Sequence, residues 1–534
     1  MYECLVNSNK NNMEAPAIKF FGKKISYSQM IDKIDAIASA FSRNGIVASD
    51  RVVVLGLNTP EIICSVYAIN KLGAIACMEY ITQTESDLIK ITKEYKSKYA
   101  VVIDNVYEKY SESLIEAGIE KIFLVRSYQS MPFAMRMIAK GKMKIKNVTS
   151  HTIELDKEVV KNYIDLNCVS KGDDIAIVLS TSGTTGIPKR AELTNDAINA
   201  LAYQGHYIDI ELNVGKTMLT PAPPFFAFGI SLTMHFPLCC GVCLILSMSP
   251  DPDFVTNQFI KYKPSLFMAG PVFIDKIMAS KKAMNMDMSF VTAIELGGAS
   301  VSAEYSSKVD TFFKQHNYSG NIYVGYGMTE LAACSTTEQK NANRPGTVGI
   351  PICDVNVKIV DTERGEELPY DESGEILISS PCMMKQYFNN QAETDEIIEV
   401  DENGVRWIHT GDMGMVDEDG FITVVGRIKR IALTKDPVSQ GMAKLYPDYI
   451  EHTLKDCPMV EECAVITVED EERVNVAIAF VVLTGNGKIA DIEAYMRDNL
   501  APYNVPQKCI ALDTMPIRPN GKTDYILLES KIHA

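Results

Sequence analysis

Short runs of valine, isoleucine and leucine alternate along this chain with segments of helical spacing, and that alternation restricts the fold more than any other feature. Arg51-Val-Val-Val-Leu-Gly56 is apolar on both faces of a strand, the mark of a parallel strand buried under helices. Pro60 to Leu72 follows with Ile62, Ile63, Val66 and Ile69 at helical spacing. Ala74 to Met78 and Tyr99 to Asp104 repeat the strand pattern. Parallel strands need crossovers of this kind, so the rhythm predicts an α/β chain of helix-covered, mostly parallel sheets. Around Gly374–Ser379 and Gly420–Val425 the strands follow one another without helices, which predicts a small β-rich unit. After Lys429 the pattern restarts as a small α+β module: helix Tyr446–Leu454, strands Cys463–Val468 and Val474–Leu483, helix Ile489–Leu500. A chain of 534 residues has room for several domains. The expected division is a large body over 1–428 and a small C-terminal unit over 429–534, joined by the polar stretch Gly426-Arg-Ile-Lys-Arg430.

The apolar run Ile175–Leu179 leads directly into Ser180-Thr-Ser-Gly-Thr-Thr-Gly-Ile-Pro-Lys189. Gly183 and Gly186 let the backbone turn tightly and bring its N–H groups close to a ligand. Thr181, Ser182, Thr184 and Thr185 add hydroxyl donors, and Lys189 adds a positive charge. Together they form a phosphate cradle. It differs from the common nucleotide loop, which spaces its glycines further apart and ends in Gly-Lys-Ser/Thr. In its order of residues the segment closely resembles the signature of the adenylate-forming superfamily, which comprises acyl-CoA synthetases, luciferases and the adenylation domains of peptide synthetases.

Further matches follow in the family's order and cover nearly the whole chain. Tyr326-Gly-Met-Thr-Glu330, after the strand Asn321–Val324, resembles its Tyr-Gly-x-Thr-Glu motif. Tyr326 offers an aromatic face to a base, Thr329 a donor to phosphate, and Glu330 a hard oxygen for Mg²⁺. In His409-Thr-Gly-Asp412 the resemblance gives Asp412 both ribose hydroxyls. In Gly426-Arg-Ile-Lys429 it takes Arg427 to the nucleotide and makes Lys429 the hinge. In Pro519-Asn-Gly-Lys522 it sends Lys522 from a C-terminal loop into the active site. Leu296-Gly-Gly-Ala-Ser300, with Gly298 and Ala299, resembles the segment on the adenine and acyl pockets, and Pro224-Phe-Phe-Ala-Phe-Gly229 the segment beside the acyl pocket. The resemblance implies catalysis by Lys522, Thr185 and Glu330, with nucleotide binding by Thr181, Ser182, Gly183, Thr184, Thr185, Gly186, Lys189, Gly298, Ala299, Tyr326, Gly327, Thr329, Asp412 and Arg427.

The chain also departs from the family pattern. Phe226 stands where histidine is usual, Arg190 where glycine is usual, and Asn195 where histidine is usual. After the hinge, a short Gly-x-x-Ile loop is replaced by the longer Ile431–Leu445 segment, with Pro437 and Gly441. That segment normally helps form the thioester tunnel, so the adenylation half is the better supported one.

A net charge of −16 argues against nucleic acid as a main partner. The 13 cysteines lack a disulfide framework and suit a reducing compartment, so the expected location is cytoplasmic. Cys240-Gly-Val-Cys243 reads as core packing. Seven histidines leave little room for a histidine-based metal site. The start of the chain carries no secretory signal pattern. Ser231–Met248, interrupted by Pro237 and Gly241, is expected to be a buried helix, a turn and a strand rather than a membrane span. Met131–Lys146, basic and Met-rich, is expected to be a solvated surface element.

The resemblance thus implies an AMP-forming acyl-CoA ligase using ATP, Mg²⁺ and CoA. Phe225, Phe226 and Phe228 point to a fatty or otherwise apolar carboxylic acid, with no charged residue evident for an amino group. Two other readings stay open: a ligase that loads a separate carrier protein, and a non-catalytic nucleotide-binding relative.

Overall fold

Strands form where the alternation places them, because each apolar run can satisfy its backbone only by pairing and its side chains only by burial. The computed structural model describes residues 1–143, 145, 147–161, 163–181, 189–299, 301–485, 487–518 and 522–532. Ser182, Gly183, Thr184, Thr185, Gly186 and Ser300 lie outside the described residues.

Among the described residues one sheet carries eight strands in the order Gln386–Tyr387, Arg190–Thr194, Ile175–Ser180, Ile75–Met78, Arg51–Leu55, Tyr99–Ile103, Lys121–Val125 and Thr152–Glu154. Arg51–Leu55 pairs in parallel with both Ile75–Met78 and Tyr99–Ile103. The crossover helix Pro60–Lys71 is buried along its whole length. Pro60 opens it, and the Thr59 hydroxyl caps it by accepting from the Ile62 N–H. An antiparallel pair at one side was not expected: Ile175–Ser180 turns back as Arg190–Thr194, with Ser180 opposite Arg190. The Thr181 N–H donates to the Lys189 carbonyl at 2.7 Å. Thr181 and Lys189 are therefore held together at the ends of this antiparallel pair.

A second, nine-stranded sheet holds the parallel strands Thr217–Thr220, Cys243–Leu246, Leu266–Ala269, Ala293–Leu296 and Ile322–Tyr326. Their C-terminal ends lead into Pro221–Phe228, Gly270, Gly297–Ala299 and Tyr326–Glu330. Ligands of open α/β sheets bind at such ends. The β-rich unit is an antiparallel five-stranded sheet of Asn356–Val360, Gly374–Ser379, Ile398–Val400, Arg406–Val416 and Ile422–Arg427.

The last part of the chain buries a core of its own: Ile450, Leu454, Val465, Ala479, Val481, Ile492 and Met496. It covers a three-stranded sheet, Val460–Asp470, Val474–Leu483 and Lys508–Leu512, with helices Pro447–Lys455 and Ile489–Asn499. The expected loop after the hinge is instead a hairpin, Ala432–Lys435 with Met442–Leu445. Asp436 closes it by accepting from Val438 N and Ser439 Oγ, while the Asp436 N–H reaches the Gly441 carbonyl at 2.8 Å.

Ser231–Met248 forms the end of a π-helical segment Phe228–His235, the helical turn Phe236–Cys239 and the strand Cys243–Leu246, all buried apart from the final Met248. Among the described residues no helix is long and apolar enough to cross a membrane. The basic segment forms a helix, Phe133–Lys142, that buries none of its residues. Cys240 and Cys243 are buried free thiols. A cluster that sequence spacing did not reveal joins Cys4, His235 and Cys239. Both ring nitrogens of His235 are engaged there, with the Tyr67 hydroxyl at 2.9 Å and Asn199 Oδ1 at 3.0 Å.

Candidate active site

One continuous cleft runs between the C-terminal strand ends, the β-rich unit and the last part of the chain. Its volume of 3710 Å³ far exceeds the 300–1,000 Å³ of an ordinary ligand pocket, so it has room for more than one ligand. Every described residue expected at the site lines it: Thr181, Lys189, Gly298, Ala299, Tyr326, Gly327, Thr329, Glu330, Asp412, Arg427, Lys429 and Lys522.

Asp412 and Arg427 face one another because they are register partners on adjacent strands of the β-rich unit. The carboxylate accepts from Arg427 Nε at 2.9 Å and from the Tyr326 hydroxyl at 2.5 Å. Tyr326 lies at the end of its strand, so this contact joins the second sheet to the β-rich unit. Arg427 Nη1 also donates to the Thr410 carbonyl at 2.9 Å, and its backbone N–H to Asp448 Oδ2 at 2.6 Å. Burial pushes the Asp412 carboxyl above the usual range, against the pull of Arg427.

Glu330 sits in the short turn Thr329–Leu331 and is buried. Its Oε1 accepts from the Tyr387 hydroxyl at 2.6 Å. Tyr387 escaped the sequence reading, because nothing within its own segment marks it as a partner of a residue far earlier in the chain. It also lies under the Lys189 ammonium, 5.1 Å from the ring centroid, and Lys189 is ion-paired with Glu393. Gly327 is required by close approach: a Cβ there would stand 2.0 Å from the Ala333 carbonyl oxygen. Lys522 reaches the cleft from the tail. Burial and Arg427 hold its ammonium below the usual lysine range, while Glu330 and Asp412 pull the other way. The tail amine therefore feels the carboxylates of Glu330 and Asp412.

The expected aromatic segment packs as a cluster. The Phe225 and Phe226 rings stand 4.8 Å apart, each 5.4 Å from Tyr80. The Tyr80 hydroxyl donates to the Ser180 carbonyl at 3.0 Å, tying the cluster to the strand that feeds the glycine-rich segment. The cleft wall also carries an acid that the sequence did not single out. Glu295, on the strand Ala293–Leu296, lines it and is 6% exposed. Its one local sequence signal is an acid in an otherwise apolar strand that runs into Gly297-Gly298.

Burial pushes the Glu295 carboxyl up to about 7, with a hydrogen bond from Thr337 opposing. An unfolded glutamate titrates near 4.5, so the folded state keeps its proton to higher pH. This group therefore subtracts stability as pH rises from about 4.5 to 7, and the full penalty, roughly 3 kcal/mol, applies above that window. Glu295→Gln is expected to raise the melting temperature at about pH 8 and leave it unchanged at about pH 4. Coincident melting curves at the higher pH would contradict a buried, strained carboxylate.

The departures from the family pattern have structural roles. Arg190 pairs with the buried Glu79 at 3.5 Å, and Tyr95 donates to the same carboxylate at 2.8 Å. The Asn195 carboxamide bridges Asn70 Nδ2 at 2.8 Å and the Lys171 carbonyl at 2.9 Å. At the expected hinge, Lys429 stands in the short turn Ile428–Arg430 with its side chain 63% exposed. Arg427 holds Asp412, whereas Arg430 pairs with Asp448 and with Glu451 at 2.7 Å and lies over the Tyr525 ring.

The AMP-binding enzyme family model matches residues 5–388, and the AMP-binding enzyme C-terminal domain model matches residues 449–522. A long-chain-fatty-acid–CoA ligase of Bacillus subtilis (strain 168) is 26% identical over 530 residues, covering 97% of this chain and 92% of the relative. A feruloyl-CoA synthase of an Amycolatopsis species is 26% identical over 518 residues, covering 95% and 94%. Among solved structures, ATP-bound MatB from Rhodopseudomonas palustris aligns with a TM-score of 0.83 at 20% identity, covering 99% of this chain and 98% of that one. A benzoate CoA ligase from Burkholderia xenovorans LB400 aligns with a TM-score of 0.82 at 19% identity, covering 99% of each. The structural likenesses establish a shared α/β fold with a small C-terminal domain, and the family models reach most of the chain. The chain belongs to the AMP-binding enzyme family, and with it to the adenylate-forming superfamily.

Proposed function

We propose that the chain is an AMP-forming acid–CoA ligase that joins a carboxylic acid to ATP, releases pyrophosphate, and passes the acyl group from the adenylate to CoA. The observation that carries this reading is the convergence of Lys522 with Glu330 and Asp412 in one cleft, from segments far apart in the chain. Names of relatives that are CoA ligases support the acceptor.

Attack of a carboxylate on the α-phosphate brings two anions together, so the site must neutralise charge and align the partners. In this reading Asp412 holds the ribose hydroxyls, with Tyr326 and Arg427 fixing its orientation. Tyr326 and the Gly298–Ala299 segment flank the base. Thr181, Ser182, Gly183, Thr184, Thr185, Gly186 and Lys189 hold the terminal phosphates, for which Lys189 exchanges Glu393 for phosphate. Lys522 meets the charge that builds at the α-phosphate. The Glu330 carboxylate, held by the Tyr387 hydroxyl, is a hard oxygen donor that would hold a Mg²⁺ ion, and the ion would supply neutralisation of phosphate charge. The unit after residue 428 then turns about Lys429, withdrawing Lys522 and admitting the thiol.

Pyrophosphate exchange with acids of different chain length and aromaticity, followed by AMP release with and without CoA, tests the reading. Exchange with no acid would refute it. Lys429→Pro tests the hinge, because proline fixes φ and removes a rotation. It is expected to keep adenylate formation within about threefold and to cut thiolysis of a supplied acyl-adenylate by about 10²-fold or more. An equal loss in both half-reactions would refute a hinge at this residue.

A further inference from the structure

A carboxyl group at the base of an acyl pocket is costly unless something answers it. Glu295 lines the cleft from the strand Ala293–Leu296, two residues before the Gly297-Gly298 turn. Its backbone is register partner of Tyr323, three residues before Tyr326, and its side chain extends along the sheet to the level of Gly325. Gly325 makes room for it: a Cβ there would come 2.5 Å from Glu295 Oε1. Among the described residues, one hydrogen bond reaches the carboxyl, from Thr337 Oγ1 at 3.2 Å. The buried Cys334 thiol and Tyr323 stand near it, and Phe228 and Gly297 line the same cleft. The elevated proton affinity of this group agrees with a carboxyl short of donors.

We propose that Glu295 is the recognition point for a hydrogen-bond donor, a hydroxyl or a protonated amine, carried by the acid substrate at the end remote from its carboxylate. This rests on the ligase reading and deepens it. An alkyl tail or a bare ring would expel water from the pocket and leave the carboxyl unanswered. A donor at that point supplies the missing bond. Discrimination follows the asymmetry known for such sites: an apolar pocket tells methylenes apart by about 10- to 200-fold, whereas a buried polar group rejects a ligand lacking its partner by far more.

The test is pyrophosphate exchange over matched acids: hydroxy- and amino-substituted benzoates and cinnamates, each beside its unsubstituted and O-methylated parent, plus straight-chain alkanoates. In the wild-type protein at least one donor-bearing acid is expected to exceed its parent in kcat/KM by about 10²-fold or more. In Glu295→Leu that ratio is expected to fall within about threefold, chiefly because the parent improves. Glu295→Gln, close in shape and still an acceptor, is expected to keep part of the preference and serves if the leucine variant does not fold. The hydroxy and amino arms separate the two donor classes. Parents or alkanoates that match their donor-bearing partners, or a preference that survives Glu295→Leu, would overturn the assignment and leave the ligase reading intact. Exchange with no acid at all would overturn both.

Discussion

Lys522→Ala is expected to lower pyrophosphate exchange by about 10²–10³-fold, the loss seen when one preorganised charge-stabilising donor is removed. Thiolysis of a supplied acyl-adenylate should change by less than about threefold, since in the proposed mechanism the same lysine leaves the cleft before that step. The split follows from where the amine lies. It lines the cleft within the influence of Arg427, Glu330 and Asp412, where the proposed reaction builds charge on the α-phosphate. Position rather than charge alone is at stake, so Lys522→Arg should recover little, its planar fork being no substitute for a compact ammonium. Equal losses in both half-reactions would refute the division of labour.

Asp412→Ala is expected to raise KM for ATP by about 10²-fold or more, because hydrogen bonds to a charged acceptor are each worth about 1.5–3 kcal/mol. The change also strands the Tyr326 hydroxyl and Arg427, which now share this carboxylate. A control isolates the ribose contact. The wild-type protein should prefer ATP over its 2′- and 3′-deoxy forms, whereas Asp412→Ala should treat them alike. A variant that still discriminates against the deoxy nucleotides would show that Asp412 orients its neighbours without touching ribose.

The parallel core was legible because its signal is local. Arg51–Leu55, Pro60–Lys71 and Ile75–Met78 fall within a residue or two of the expected bounds, since burial on both faces of a strand and helical spacing are written into consecutive residues. The hairpin after the hinge was less legible. Ala432–Lys435 and Met442–Leu445 are short, and Leu433 and Met442 face solvent, so no alternation of buried and exposed residues announces the pair. Arg190–Thr194 was missed for a related reason: its partner Ile175–Ser180 reads as a strand of a parallel sheet, and only the return of the chain makes the pair antiparallel.

By itself the sequence determined the α/β class and the presence of a small C-terminal unit. Each rests on neighbours in the chain. The tertiary structure alone decided that Tyr387 holds Glu330, that the side chains of Arg427 and Arg430, flanking an exposed Lys429, pair with different acids, and that a carboxyl from the strand Ala293–Leu296 lies in the cleft wall. Those pairings depend on strand register and on the burial that follows when sheets close over one another, and neither quantity is carried by the spacing of residues along a single segment.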